Sequence, residues 1–86
     1  MARVMVERKF DAAESFEGLQ AQEDAFAWCA EQHQVKFLRT YFSKDRKRMI
    51  CEYEAPDAEA VRKLQRAASM PFERIWTAQV FDWESD

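Results

Sequence analysis

Apolar residues recur along this chain with two different spacings, and the switches between them divide it into elements. Residues 3–10 alternate, with Val4 and Val6 on one face and Met5 and Glu7 on the other, the period of a half-buried strand. From Ser15 the period lengthens. Leu19, Phe26, Cys29 and Ala30 share a helical stripe flanked by Gln22 and His33. Ser15 is placed to cap it, with Glu17 in the first turn, so one helix is expected from Ser15 to about His33. Val35 to Ala55 then reads as a β-hairpin. With its turn centred on Asp45-Arg46, Leu38, Thr40 and Phe42 share a face with Tyr53, Cys51 and Met49, the better candidate for the covered core. The other face carries Phe37, Arg39 and Tyr41 beside Glu54, Glu52 and Ile50, and Arg39 falls directly opposite Glu52 as a favourable cross-strand pair.

Asp57 caps a second helix with Glu59 in its first turn. Ala58, Val61, Leu64, Gln65 and Ala68 form its inner stripe, Arg62, Lys63 and Arg66 its solvated side, and Met70-Pro71 its stop. A last strand is expected from about Glu73 to Trp83, followed by a polar tail, Glu84-Ser85-Asp86. The order β-α-β-β-α-β predicts a single α+β domain over residues 1–86 of the ferredoxin-like kind: a four-stranded antiparallel sheet with two helices on one face.

Two helices cover only one side of such a sheet. The other side is expected to expose Phe37, Tyr41, Ile50, Ile75 and Phe81 among Met5, Glu7, Arg39, Glu52, Glu54, Thr77 and Gln79. Each large apolar side chain gains roughly 1.5–3 kcal/mol on full burial, so this face predicts a homodimer packed sheet against sheet. Its carboxylates need Arg39, a cation or water if they are to be buried. Glu7, Arg39, Tyr41 and Glu52 are therefore the candidate small-ligand residues.

Composition narrows the classes. With 34% charged residues and a net charge of −3, the chain is not expected to bind nucleic acid or an anionic membrane; Lys44 to Arg48 is the one basic stretch. Arg3, Glu7 and Arg8 interrupt the first apolar run, which excludes a signal peptide, and no segment approaches the roughly 20 apolar residues of a membrane span. Cys29 and Cys51 form no close-spaced pair and read as reduced, buried thiols of a cytoplasmic protein. Gly18 is the only glycine, so there is no glycine-rich phosphate cradle. The RNA-recognition motif shares this topology, but it needs stacking aromatics and a glycine-rich third strand. Lys47 to Glu54 has neither the glycine nor an acid-free face.

Cys29 and His33 stand four apart on one helix, a ligand or dyad spacing that is met as readily by a core thiol beside a helix end. His33, the only histidine, is the one side chain that titrates naturally near neutrality. A divalent metal such as Ni²⁺ would need His33 or carboxylates, the candidates being His33, Glu7 and Glu52, with ligands that two subunits can share. Three readings follow. The first is a non-enzymatic dimer that binds a small ligand or a divalent metal. The second is a cofactor-independent monooxygenase or isomerase with an acid–base group near His33. The third is a protein-interaction module using Trp28 and the basic loop tip.

The stretches V-M-V-E-R-K-F at 4–10, L-R-T-Y at 38–41, M-I-C-E-Y-E-A-P-D at 49–57 and M-P-F-E-R-I-W at 70–76 resemble a small bacterial family of unknown function. The resemblance spans nearly the whole chain. It implies a ferredoxin-like fold, dimers of the α+β-barrel type and, for some members, nickel binding. Members associated with nickel carry a histidine in the second helix where this chain has Leu64, which removes one imidazole from that mode. Glu7, Tyr41, Cys51 and Glu52 match recurring family positions.

Overall fold

In a computed structural model that describes residues 1–83, the chain forms β1 (Ala2–Lys9), α1 (Phe16–Asp24), α2 (Ala27–Gln32), β2 (Lys36–Phe42), β3 (Arg48–Ala55), α3 (Ala58–Ala67) and β4 (Arg74–Ala78). The expected polar tail, Glu84 to Asp86, lies outside the described residues. The strands make one antiparallel sheet in the order β2-β3-β1-β4 with the helices laid on one side, a ferredoxin-like α+β fold.

The period-2 and period-3.6 patterns put the core where they predict it. Val4 and Val6 of β1, Cys51 and Tyr53 of β3, and Val61 and Leu64 of α3 are buried together with Leu19 and Cys29. Both expected caps form. Ser15 Oγ accepts the Gly18 amide at 3.1 Å and Asp57 Oδ1 accepts the Ala60 amide at 2.8 Å. Each satisfies a donor that the first turn would otherwise leave unpaired.

Three details of the expected architecture change. The first helix is not continuous, because Phe26 leaves helical geometry (φ −112°, ψ 27°) and splits it into α1 and α2. At about 100° per residue, a straight helix would set Cys29 roughly 80° away from Leu19. The break re-aims the second segment, so that Leu19 and Cys29 are both buried and Phe26 and Ala30 pack against the core.

The hairpin keeps the expected register from Phe42↔Met49 to Arg39↔Glu52, then shifts by one residue, so that Phe37 pairs with Tyr53. Leu38 is the extra residue of this β-bulge, and it leaves Phe37 rather than Leu38 on the core side. Phe37 stands edge-on to the Tyr53 ring at 5.6 Å.

The last strand is shorter than expected and presents the opposite faces. Val6 pairs with Ile75 and Val4 with Thr77, so Ile75 joins the core while Trp76 and Ala78 turn to the open side. Both rows of this strand carry apolar residues, so alternation could not choose between them; the pairing with β1 does.

With one glycine in the chain, positive φ falls on other residues. Gln34 (φ 58°) and Ser69 (φ 55°) end α2 and α3. In each case the following amide reaches back over the turn, Val35 N to Ala30 O at 2.8 Å and Met70 N to Gln65 O at 2.9 Å, the closing bond of a Schellman motif. Among the described residues no helix is long and apolar enough to cross a membrane.

Candidate functional site

The open side of the sheet gathers the residues singled out for ligand binding. Glu52 sits at its centre, 4% exposed, with Arg39 opposite on β2 and Arg3 on the far side. Its Oε1 accepts from Arg39 at 3.3 Å, and its Oε2 is ion-paired with Arg3. A hydrogen bond with Tyr41, and then the Glu52 charge, raise the pKa of the Arg39 guanidinium above its ordinary value, with Asp82 adding to the effect. Glu7 lies on the same face nearer β4, where its carboxylate accepts the Trp76 indole N–H at 2.7 Å and faces Arg74 at 3.8 Å. Glu7 and Glu52 are therefore both paired with basic or N–H donors. That is the condition under which carboxylates tolerate partial burial.

After β4 ends at Ala78, residues 79–83 run on beside the same face. Together with Met5, Arg39, Tyr41, Glu52 and Trp76 they border a broad, open cleft of about 810 Å³. Tyr41, Trp76, Val80, Phe81 and Trp83 all line it, and all five are among the large apolar side chains left most exposed, Phe81 at 76% and Trp83 at 87%. The paired Arg39 and Glu52 supply this aromatic cleft with one donor group and one acceptor group.

A second polar assembly lies beneath the helices. Arg8 shares the parity of Val4 and Val6 and points into the core, 2% exposed. Its guanidinium donates to Pro71 O and Gln65 Oε1, each at 2.8 Å, and to the Tyr53 hydroxyl at 3.2 Å. The Tyr53 hydroxyl donates to Glu23, with Oε2 at 2.8 Å and Oε1 at 2.9 Å, and accepts from Gln65 Nε2 at 3.3 Å. Burial pushes the Glu23 carboxyl above its ordinary value, against the opposing pull of the Tyr53 bond and the Arg8 charge. Burial and then the Glu23 charge push Tyr53 well above the usual phenol range.

Two comparisons place the chain. A family model described as nickel responsive protein, SCO4226-like, matches residues 5–77. The chain belongs to this family. The crystal structure of SCO4226 from Streptomyces coelicolor A3(2) superimposes with a TM-score of 0.80 at 18% identity, covering 94% of this chain and 100% of that one. At that identity the likeness speaks for the fold alone. No curated protein matches the chain.

The family name raises nickel, and the side chains can be tested against it. His33 caps the C-terminal end of α2, in the helix layer, whereas Glu7 and Glu52 face the opposite side of the sheet. Among the described residues no three His, Cys, Asp or Glu side chains come together as a metal cluster. Glu7 and Glu52 already accept from Trp76, Arg39 and Arg3. Leu64, in the second-helix position discussed above, is buried at 1% exposure. Imidazole suits divalent nickel, which nitrogen and oxygen donors hold in a square-planar or tetragonal arrangement; the described residues of one protomer bring no such donor set together, so one protomer does not fit the ion. Cys29 is a free thiol in the core, joined to His33 only through the helix bond from His33 N to Cys29 O at 3.0 Å. His33 does not line the aromatic cleft. Trp28 is 60% exposed and its ring packs against Phe26 at 6.1 Å.

Proposed function

We propose that this member of the nickel responsive family is a cytoplasmic, non-enzymatic homodimer that joins through the open sheet face and holds a small, flat, mainly apolar ligand in the aromatic cleft. One observation carries the reading: the exposed Tyr41, Trp76, Val80, Phe81 and Trp83 surround a single cleft floored by the Arg39–Glu52 pair. An isologous two-fold contact sets a patch against itself, so the patch must be self-complementary. This one carries apolar rings together with both signs of charge. Closing two such faces would remove the rings from water, and a polar ligand edge could meet Arg39 as donor or Glu52 as acceptor. The free, buried Cys29 and Cys51 agree with a reducing compartment.

Light scattering at micromolar concentration tests the assembly, with Tyr41→Asp placing a charge in the middle of the contact. The expected result is two-chain mass for the native protein and a shift toward one chain for the variant. One-chain mass for the native protein would refute the dimer. Nickel is addressed by calorimetric titration of tag-free protein. The side-chain arrangement leads us to expect heat within noise at high micromolar Ni²⁺; saturable binding at one ion per two chains would show that the subunits assemble ligands that neither holds alone.

A further inference from the structure

The two irregularities of the fold meet at one place. The break between α1 and α2 opens a gap in the helix layer, and the bulge at Leu38 turns Phe37 toward the same gap. Between them lies a cavity of about 280 Å³, on the other side of the sheet from the aromatic cleft. Bulges gather next to functional sites, where they re-aim a side chain, and here the re-aimed ring forms a wall. The Tyr53–Glu23 pair lines the cavity, held from behind by Arg8 and Gln65.

We infer that this cavity is a binding site for a small organic ammonium ion, with an apolar body against Ala30, Val35, Phe37 and Leu64 and its cationic head on the Glu23 carboxylate. The volume lies near the lower end of the range of small-molecule pockets, about 300 Å³, which limits the ligand to a single ring or a short chain. Charge selects the head group. Glu23, Asp24 and Glu31 line the cavity against one cation, Lys36. Arg8, behind the Tyr53 hydroxyl, orients Glu23 without occupying the cavity: its closest approach to that carboxylate is 3.6 Å, and its short bonds go to Pro71 and Gln65. A carboxylate has about four acceptor positions, and the single Tyr53 proton, shared by its two oxygens, leaves room for an ammonium donor. The pair is preorganised, because Tyr53 is fully buried and cannot turn away.

Benzylamine, with benzyl alcohol and benzoate as neutral and anionic controls of similar shape, tests this by amide chemical-shift titration of the full chain. Benzylamine is expected to give saturable shifts confined to residues 20–37, 53 and 64 and their immediate neighbours, benzyl alcohol to bind about tenfold more weakly, and benzoate not to bind. Ala27→Phe, at an exposed lining position, is expected to abolish the shifts while the circular dichroism stays native. If that variant does not fold, Glu31→Gln at the rim is expected to weaken benzylamine several-fold and leave benzyl alcohol unchanged. No saturable shift, equal binding of all three probes, or shifts centred on Arg39, Tyr41 and Trp76 would each overturn the assignment.

Discussion

Replacing Tyr53 by Phe removes one oxygen from the middle of the buried network and leaves the ring in place. Among the described residues the hydroxyl is the one group at hydrogen-bond distance from the Glu23 carboxylate, and it accepts from both Arg8 and Gln65. Arg8 keeps its bonds to Pro71 and Gln65 Oε1, whereas Gln65 Nε2, on a fully buried side chain, loses its acceptor. A hydrogen bond to a charged group contributes about 1.5–3 kcal/mol, and a stranded buried donor costs about 1–3 kcal/mol. Water that reaches Glu23 in place, through the 11% of its side chain that is exposed, recovers part of this. The expected loss is about 3 kcal/mol, a large share of the roughly 4–13 kcal/mol available to a domain of this length. It corresponds to a fall in Tm of about 12–24 °C. Urea unfolding followed by circular dichroism measures it, at one fixed protein concentration because a dimer's stability depends on concentration. The Tyr53 bond opposes the effect of burial on Glu23, so the Glu23 pKa, read by carbon NMR of the carboxyl, should rise further in the variant. A loss below about 1 kcal/mol, the size of a typical net hydrogen bond, with Glu23 unmoved would refute the network as described.

Other expectations follow from single features. Ser69→Gly should stabilise the fold by about 0.5–1 kcal/mol in the same urea assay, because a left-handed residue costs about 1–2 kcal/mol and glycine returns part of that gain as chain entropy; the backbone bonds at Ser69 do not need its side chain. Stability should decline as pH rises from the ordinary glutamate range through the raised folded pKa of Glu23. A carboxyl whose folded pKa is raised binds its proton more tightly in the native state, so its contribution is complete below the unfolded value and lost above the folded one. The same sign holds for Tyr53 above the ordinary phenol range, giving a second decline at alkaline pH in unfolding curves taken at each pH. Glu52→Gln leaves Arg3 and Arg39 facing each other across a neutral amide, and should cost about 1–2 kcal/mol in urea, since Arg39 can turn to solvent while Arg3 is held more closely.

The strand and helix order, both N-caps, the inner stripe of α3 and the Arg39–Glu52 pair were legible in the sequence because each rests on local spacing. The bulge at Leu38 was not: Phe37 and Leu38 are both large and apolar, and only tertiary packing decides which turns inward. Ile75 and Trp76 pose the same ambiguity, and pairing with Val6 and Met5 resolves it. The buried network did leave a trace. Gln65 falls on the inner stripe of its helix and Arg8 on the parity of Val4 and Val6, two polar residues directed at one core. A buried amide and a buried guanidinium each demand a partner, and Tyr53, on the covered row of its hairpin, carried the hydroxyl that meets both. What the sequence does not carry is the break at Phe26, since no proline or glycine marks it, and with it the cavity that the break opens.

The proposed dimer joins two copies through the open sheet face. Isotope-filtered NOE measurement on a mixture of labelled and unlabelled chains tests it most directly. Intermolecular cross-peaks from Tyr41, Trp76 and Phe81 are expected. Intermolecular cross-peaks from α1 and α3 alone, or none at millimolar protein, would contradict it.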